Sequence, residues 1–278
     1  MGLSREDMLR ELELLPVWKL REPLTPAELV VVPAAPEAAA TVAEPIPAPM
    51  SAPVAAETPS PVAEAVQAAP ATTSEPAVFA ENRPEQIRHL DWQALQRCVQ
   101  DCTACELSVT RTQTVFGVGD PQAEWLFVGE APGVEEDRKG EPFIGQAGKL
   151  LDNMLAAIKL KRGQNTYIAN IMKCRPPENR DPHRNEIAQC EPYLERQVAL
   201  MQPKLIVALG RVAAQTLLQT DATVAELRGR LHTYNGVPVI VTYHPAYLLR
   251  NLPDKARAWE DLCLARRTMQ ELQAATSA

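Results

Sequence analysis

From residue 87 onward, short apolar runs alternate with longer amphipathic stretches, and this alternation restricts the possible folds more than any other feature of the chain. Trp125–Gly129, Tyr167–Met172, Leu205–Leu209 and Val237–Thr242 have the length of strands and are largely apolar throughout, not at every second residue. Strands of that kind are covered on both faces. Gly148–Leu160, Asn185–Met201, Val212–Gln219 and Asp254–Gln273 instead carry helical patterns, as at Leu150, Leu151, Met154, Leu155 and Ile158. Strand and helix in turn predict the α/β class: a three-layer α/β/α sandwich around a central, mainly parallel four-stranded sheet. Ligands of such sheets collect at the carboxyl ends of the strands, so the residues just after each strand are the candidates for chemistry.

The first 86 residues follow other rules. Residues 1–32 hold one short amphipathic pattern, with Met8, Leu12, Leu15 and Leu20 among charges, too small to fold alone. Residues 33–86 are Ala/Pro-rich, and ten prolines between Pro33 and Pro76 remove the donors that helices and ladders need. A disordered linker is expected there, leaving 87–278 as the folded domain. The net charge of −7 also divides at this point. Residues 1–86 carry 5 Lys+Arg against 13 Asp+Glu, and the remainder carries 23 against 22. A near-neutral domain can still own a basic groove, so charge does not exclude a nucleic-acid partner.

No stretch reaches the roughly 18 apolar residues of a membrane helix, and MGLSREDMLRELELL lacks a secretion pattern. Glu6 stands where a myristoylation signal wants Ser or Thr. A cytoplasmic, nucleoid-associated monomer without a membrane partner is the expectation. Six cysteines in that setting point to metal or reactive roles, not to disulfides. Cys102 and Cys105 form a C-x2-C pair, while Cys174 and Cys190 follow after 68 and 84 intervening residues. Four thiolates suit a structural zinc or a cubane iron–sulfur cluster, and spacing does not separate the two. Cys98 and Cys263 have no partner at useful spacing and read as structural.

Three motifs begin at or within the last residues of strands: GEAPG at Gly129–Gly133, running on to EEDRKGEPFIGQAGKLL; NIMKCRPPENR from Asn170; and TYHPAYLLRN from Thr242. With the four cysteines, they resemble family 4 of the uracil-DNA glycosylases over about residues 98–270. The resemblance implies a [4Fe–4S] cluster on Cys102, Cys105, Cys174 and Cys190, uracil-containing DNA as substrate, and hydrolysis of the N-glycosidic bond. A base must leave the duplex before that bond is reached. By resemblance Phe143 stacks on the extruded uracil, Asn170 reads its N3–H and O4, and His244 donates to O2 as negative charge develops. Gly129, Ala131 and the amides around Glu130 face the same base, and Glu136 lies near the pyrimidine 5-carbon, where it crowds out a methyl group.

Ala131 occupies the position where family 1 carries an Asp, so a dissociative route is implied, with Glu130 and Asn170 as candidates for water contacts. Tyr247, Leu248, Leu249 and Arg250 read either as a DNA wedge or as the first turn of a helix with both leucines in the core. Arg228-Gly229-Arg230-Leu231-His232 partly matches a loop that captures uracil-DNA covalently in another branch, which leaves covalent or noncatalytic binding as the alternative. The N-terminal helix on its linker is expected to recruit a replication or repair protein.

Overall fold

Trp125–Gly129 and Leu205–Leu209 are buried at every position, so both faces of each run need cover, and the interior of a sandwiched sheet supplies it. The computed structural model, which describes residues 82–277, places them there. In chain order the elements begin with helices α1 (Arg83–Arg88), α2 (Trp92–Gln100) and α3 (Leu107–Thr110) and strands β1 (Val118–Gly119) and β2 (Trp125–Gly129). Helices α4 (Val134–Lys139) and α5 (Gln146–Ala157), strand β3 (Thr166–Asn170), helix α6 (Arg184–Met201), strand β4 (Leu205–Leu209) and helices α7 (Arg211–Leu218) and α8 (Val224–Leu227) come next. Strands β5 (Leu231–Tyr234) and β6 (Val237–Thr242) and helices α9 (Pro245–Arg250) and α10 (Lys255–Ser277) close the chain.

The sheet order is β1-β3-β2-β4-β6-β5. β3, β2, β4 and β6 are the four strands expected from the sequence, and they are mutually parallel. Two antiparallel edge strands, β1 and β5, raise the number to six. Neither has a readable pattern: β1 is two residues long, and β5 buries one of its four. β3 stops at Asn170, two residues short of the predicted run, because Ile171 and Met172 leave the strand while their amides still donate to Gly129 O and Glu130 O.

Alternate residues of each strand serve opposite faces. Leu126, Val128, Ile206, Ala208, Val239 and Val241 pack with α1, α2, α6 and α7; Phe127, Ile168, Val207, Leu209 and Ile240 pack with α5, α9 and α10. The helical segment at 1–32 and all of the predicted linker before residue 82 lie outside the described residues. Helix α1 runs across the boundary drawn at residue 87, with Ile87 in the core and the helix against α6. No described helix is long and apolar enough to cross a membrane.

Candidate active site

The four parallel strands end level, Gly129 beside Asn170 and Leu209 beside Thr242. β3 and β6 flank β2 and β4, so the backbones bearing Asn170 and His244 run roughly 14 Å apart, three spacings of about 4.8 Å. Between them both central strands finish in glycine: Gly129 closes β2, and Gly210 follows β4. Missing side chains in the middle and large ones at the flanks make a hollow. This cleft of about 840 Å³ is lined by Glu130, Ala131, Glu136, Phe143, Asn170 and His244, among others.

Two of the residues singled out in the sequence, Asn170 and Phe143, meet over Gly129, and a third, His244, stands against the Phe143 ring. A Cβ at that glycine would stand 2.5 Å from both Asn170 Oδ1 and Phe143 Cζ, so amide and ring close over it together. The Phe143 and His244 rings have centroids 5.5 Å apart and are tilted by 33°. Asn170 Oδ1 is buried and has no hydrogen-bond partner. Buried acceptors in that state are uncommon, and this one belongs to a residue that lines the cleft.

Phe143 is held against its own preference. Its φ of 54° is left-handed, a conformation that costs a non-glycine residue roughly 1–2 kcal/mol. Arg162 fastens the turn by donating to Pro142 O at 2.9 Å and Phe143 O at 2.7 Å. Glu136 fastens it from the other side, accepting from the amides of Gly133, Ile144 and Gly145 at 2.9–3.1 Å. Glu136 lines the cleft, and its carboxylate splints the loop that carries the aromatic ring.

His244 caps α9: its Nδ1 accepts from the Ala246 amide at 3.1 Å, and Pro245, which has no N–H to satisfy, occupies the first helical turn. With Nδ1 accepting, the neutral ring carries its proton on Nε2. Burial, aided by the Arg250 charge, lowers its pKa to about 4, so at neutral pH the cleft contains a neutral N–H donor. Glu130 moves the other way. Burial first, then the charge of Asp181, raises its carboxyl to about 7, with Arg211 opposing. The folded chain thus binds this proton more tightly than the unfolded chain, and ionising Glu130 costs stability as pH rises from about 4.5 to about 7. Glu130→Gln is expected to raise the melting temperature more at about pH 8 than at about pH 5, and equal shifts would contradict a buried carboxyl.

The Tyr247–Arg250 segment is a helix, and its two leucines part company. Leu248 is 1% exposed in the core below α9, which removes it from the DNA-facing set, whereas Leu249 is 42% exposed. The reason is helical phase: neighbouring residues point about 100° apart. Tyr247 and Arg250 line the cleft mouth, where Tyr247 stacks on Tyr243 at 5.3 Å and donates to Asp254 at 2.7 Å. His232 lies elsewhere. Its Nε2 is 2.7 Å from Leu227 O, in a separate depression with Leu218 and Arg230, and Arg228 is paired with Asp261 and Glu260. These contacts give the covalent-capture loop no place at the cleft.

Cys102 and Cys105 lie between α2 and α3, Cys174 beyond β3 and Cys190 in α6; all are free thiols against one core cluster. Burial pushes Cys190 up to about 12 and raises Cys174 and Cys105, and each of the three also feels the charge of Cys102. N–H groups are aimed at three of the sulfurs: Arg111 at Cys174 (3.1 Å), the Lys173 amide at Cys190 (3.2 Å) and Arg83 at Cys102 (3.6 Å). Among the described residues, no three His, Cys, Asp or Glu side chains form a group able to hold a single metal ion. Cys98 stays outside the set, its sulfur 3.6 Å from the Tyr193 hydroxyl.

Sequence reasoning missed Lys173. Its ammonium is buried between Asn170 O (2.8 Å) and Gln197 Oε1 (2.7 Å), and burial lowers its pKa to about 8, against the pull of Cys190 and Cys174. It joins the cysteine region to the strand end that presents Asn170. A lysine directly after the apolar residues of NIMKC was the available signal.

The model of the uracil DNA glycosylase superfamily matches residues 116–263, more than half of the chain. A type-4 uracil-DNA glycosylase of Archaeoglobus fulgidus is 47% identical over 161 residues, covering 55% of this chain and 80% of that protein. Type-4 enzymes of Sulfurisphaera tokodaii and Pyrobaculum aerophilum are 44% and 37% identical; the matches cover 55% and 63% of this chain and 73% and 93% of theirs. The matched stretch contains the strand ends, the cleft and its three converging side chains, and the chain belongs to the type-4 family of the uracil-DNA glycosylase superfamily.

Proposed function

We propose that this chain removes uracil from DNA by hydrolysing the N-glycosidic bond, leaving an abasic site. The observation that carries the reading is the unpartnered Asn170 Oδ1, buried beside Phe143 and across from the neutral imidazole of His244. Uracil N3–H needs an acceptor and its O4 a donor, and one carboxamide offers both. Cytosine presents the reverse pair and would leave the same amide mismatched.

Extrusion of the base costs a few kcal/mol, which stacking on Phe143 and the Asn170 contacts return. As the bond from the sugar to N1 breaks, its electron pair moves into the ring and charge accumulates on O2. The His244 Nε2–H serves that oxygen. A donor that strengthens with developing charge acts on the transition state more than on the bound substrate. Ala131 offers no carboxylate, so water reaches the sugar cation with Glu130 or Asn170 as its guides. Tyr247, Leu249 and Arg250 lie on the DNA side of the cleft.

Cys102, Cys105, Cys174 and Cys190 would hold a [4Fe–4S] cluster. Free thiols met by N–H donors fit such a group, and a cubane is wider than one ion, so its ligands stand further apart than a zinc site allows. When bound, the cluster supplies a structural tie, fastening the loop after Cys174, whose Pro176, Asn179, Arg180 and Asp181 form one cleft wall. A monomer acting in the cytoplasm, brought to its target through its N-terminal segment, completes the reading.

The test is release of free uracil from a uracil-containing oligonucleotide. His244→Ala is expected to lower the single-turnover rate by about 10²–10³-fold, the effect of losing one preorganised donor. A denaturing gel showing a stoichiometric protein–DNA band and no free base would refute hydrolysis.

A further inference from the structure

Arg83 opens α1, well before the stretch shared with the superfamily, yet its guanidinium reaches two of the four cysteine-bearing segments. One nitrogen donates to the backbone oxygen of Gln189 at 2.8 Å, the residue peptide-bonded to Cys190, and lies 3.4 Å from the Gln189 side-chain oxygen. The other points at Cys102 Sγ at 3.6 Å. The plane rests over the Tyr193 ring, 4.8 Å from its centroid, and Tyr193 is fixed in turn by its hydroxyl donating to Cys98 O at 3.1 Å. Helix α1 is also anchored in the core by Ile87.

We infer that Arg83 is a clamp on the iron–sulfur site, holding the Cys102 corner against helix α6, covering its sulfur and offsetting thiolate charge. The inference rests on the cluster reading given above. Only a planar, permanently charged fork can stack on a ring while donating in two directions, so lysine is an incomplete substitute.

The full-length protein and its R83Q, R83K and R88Q variants, prepared identically, would be assayed for iron and sulfide per chain. Loss of the visible cluster absorbance would then be followed in air-saturated buffer containing EDTA. R83Q is expected to lose the absorbance about 10-fold faster than the parent, as other residues that support metal ligands do. R83K should fall between them. R88Q, altered on the same helix at an exposed residue bonded to Glu85, should match the parent. An iron-loaded parent and an R83Q of equal lifetime would overturn the clamp alone, whereas a parent without iron would overturn the cluster reading itself. Should R83Q fail to fold, R83K decides: a lifetime equal to the parent's overturns the clamp.

Discussion

An Asn170→Ala variant is expected to release uracil about 10²–10⁴-fold more slowly than the parent, since two hydrogen bonds to the base, each contributing about 1.5–3 kcal/mol as negative charge develops on the departing ring, disappear together. Its stability should move the other way. Asn170 Oδ1 is buried without a partner, so the free protein carries a desolvation cost that alanine lifts. The melting temperature is therefore expected to hold or rise while excision collapses. Single-turnover base release and a thermal melt on the same preparation check both halves. A variant that loses stability in step with activity would mark Asn170 as a structural residue.

Gly129→Ala is the second large effect, and it arises from shape alone. The added methyl would lie 2.5 Å from Asn170 Oδ1 and from Phe143 Cζ, closer than real contacts allow. Phe143 has little room to yield: Arg162 and Glu136 hold its turn, and Gly148 packs against its carbonyl. Overpacking of this kind costs about 1–3 kcal/mol in stability. Displacement of the ring or amide by about 1 Å is expected to lower excision at least about 100-fold. Near-parental release would show that the cleft floor adapts, and the rigid-pocket account would fail.

The sheet and the cleft differ in how far the sequence discloses them. The four parallel strands were readable because each run is apolar on both faces; Asn170, the last residue of β3, and His244, just past β6, were legible through the motifs that resemble the family. Arg83 could not be read that way. Its hydrogen-bond partners lie up to 106 residues along the chain, and a charged residue beside a proline-rich stretch gives no local hint of them. The composition break near residue 87 likewise passes through α1, because Ile87, not proline content, decides what docks. Leu248 and Leu249 illustrate another limit: adjacent identical residues are separated only by helical phase, which depends on where His244 starts the helix. Glu136 lies in the acidic run Glu135-Glu136-Asp137, and nothing local shows that the Ile144 and Gly145 amides reach it once the chain has turned back at Gly140.

The left-handed backbone at Phe143 bears on how the enzyme meets its lesion. Because folding sets the ring in advance, no loop has to settle when a base arrives, and no order is lost at that moment. On the proposed reading such a site is expected to behave as a fixed gauge: a nucleobase of the wrong outline should be turned away instead of being fitted, and the search along DNA should be limited by how often a base swings outward, not by how fast the protein can answer.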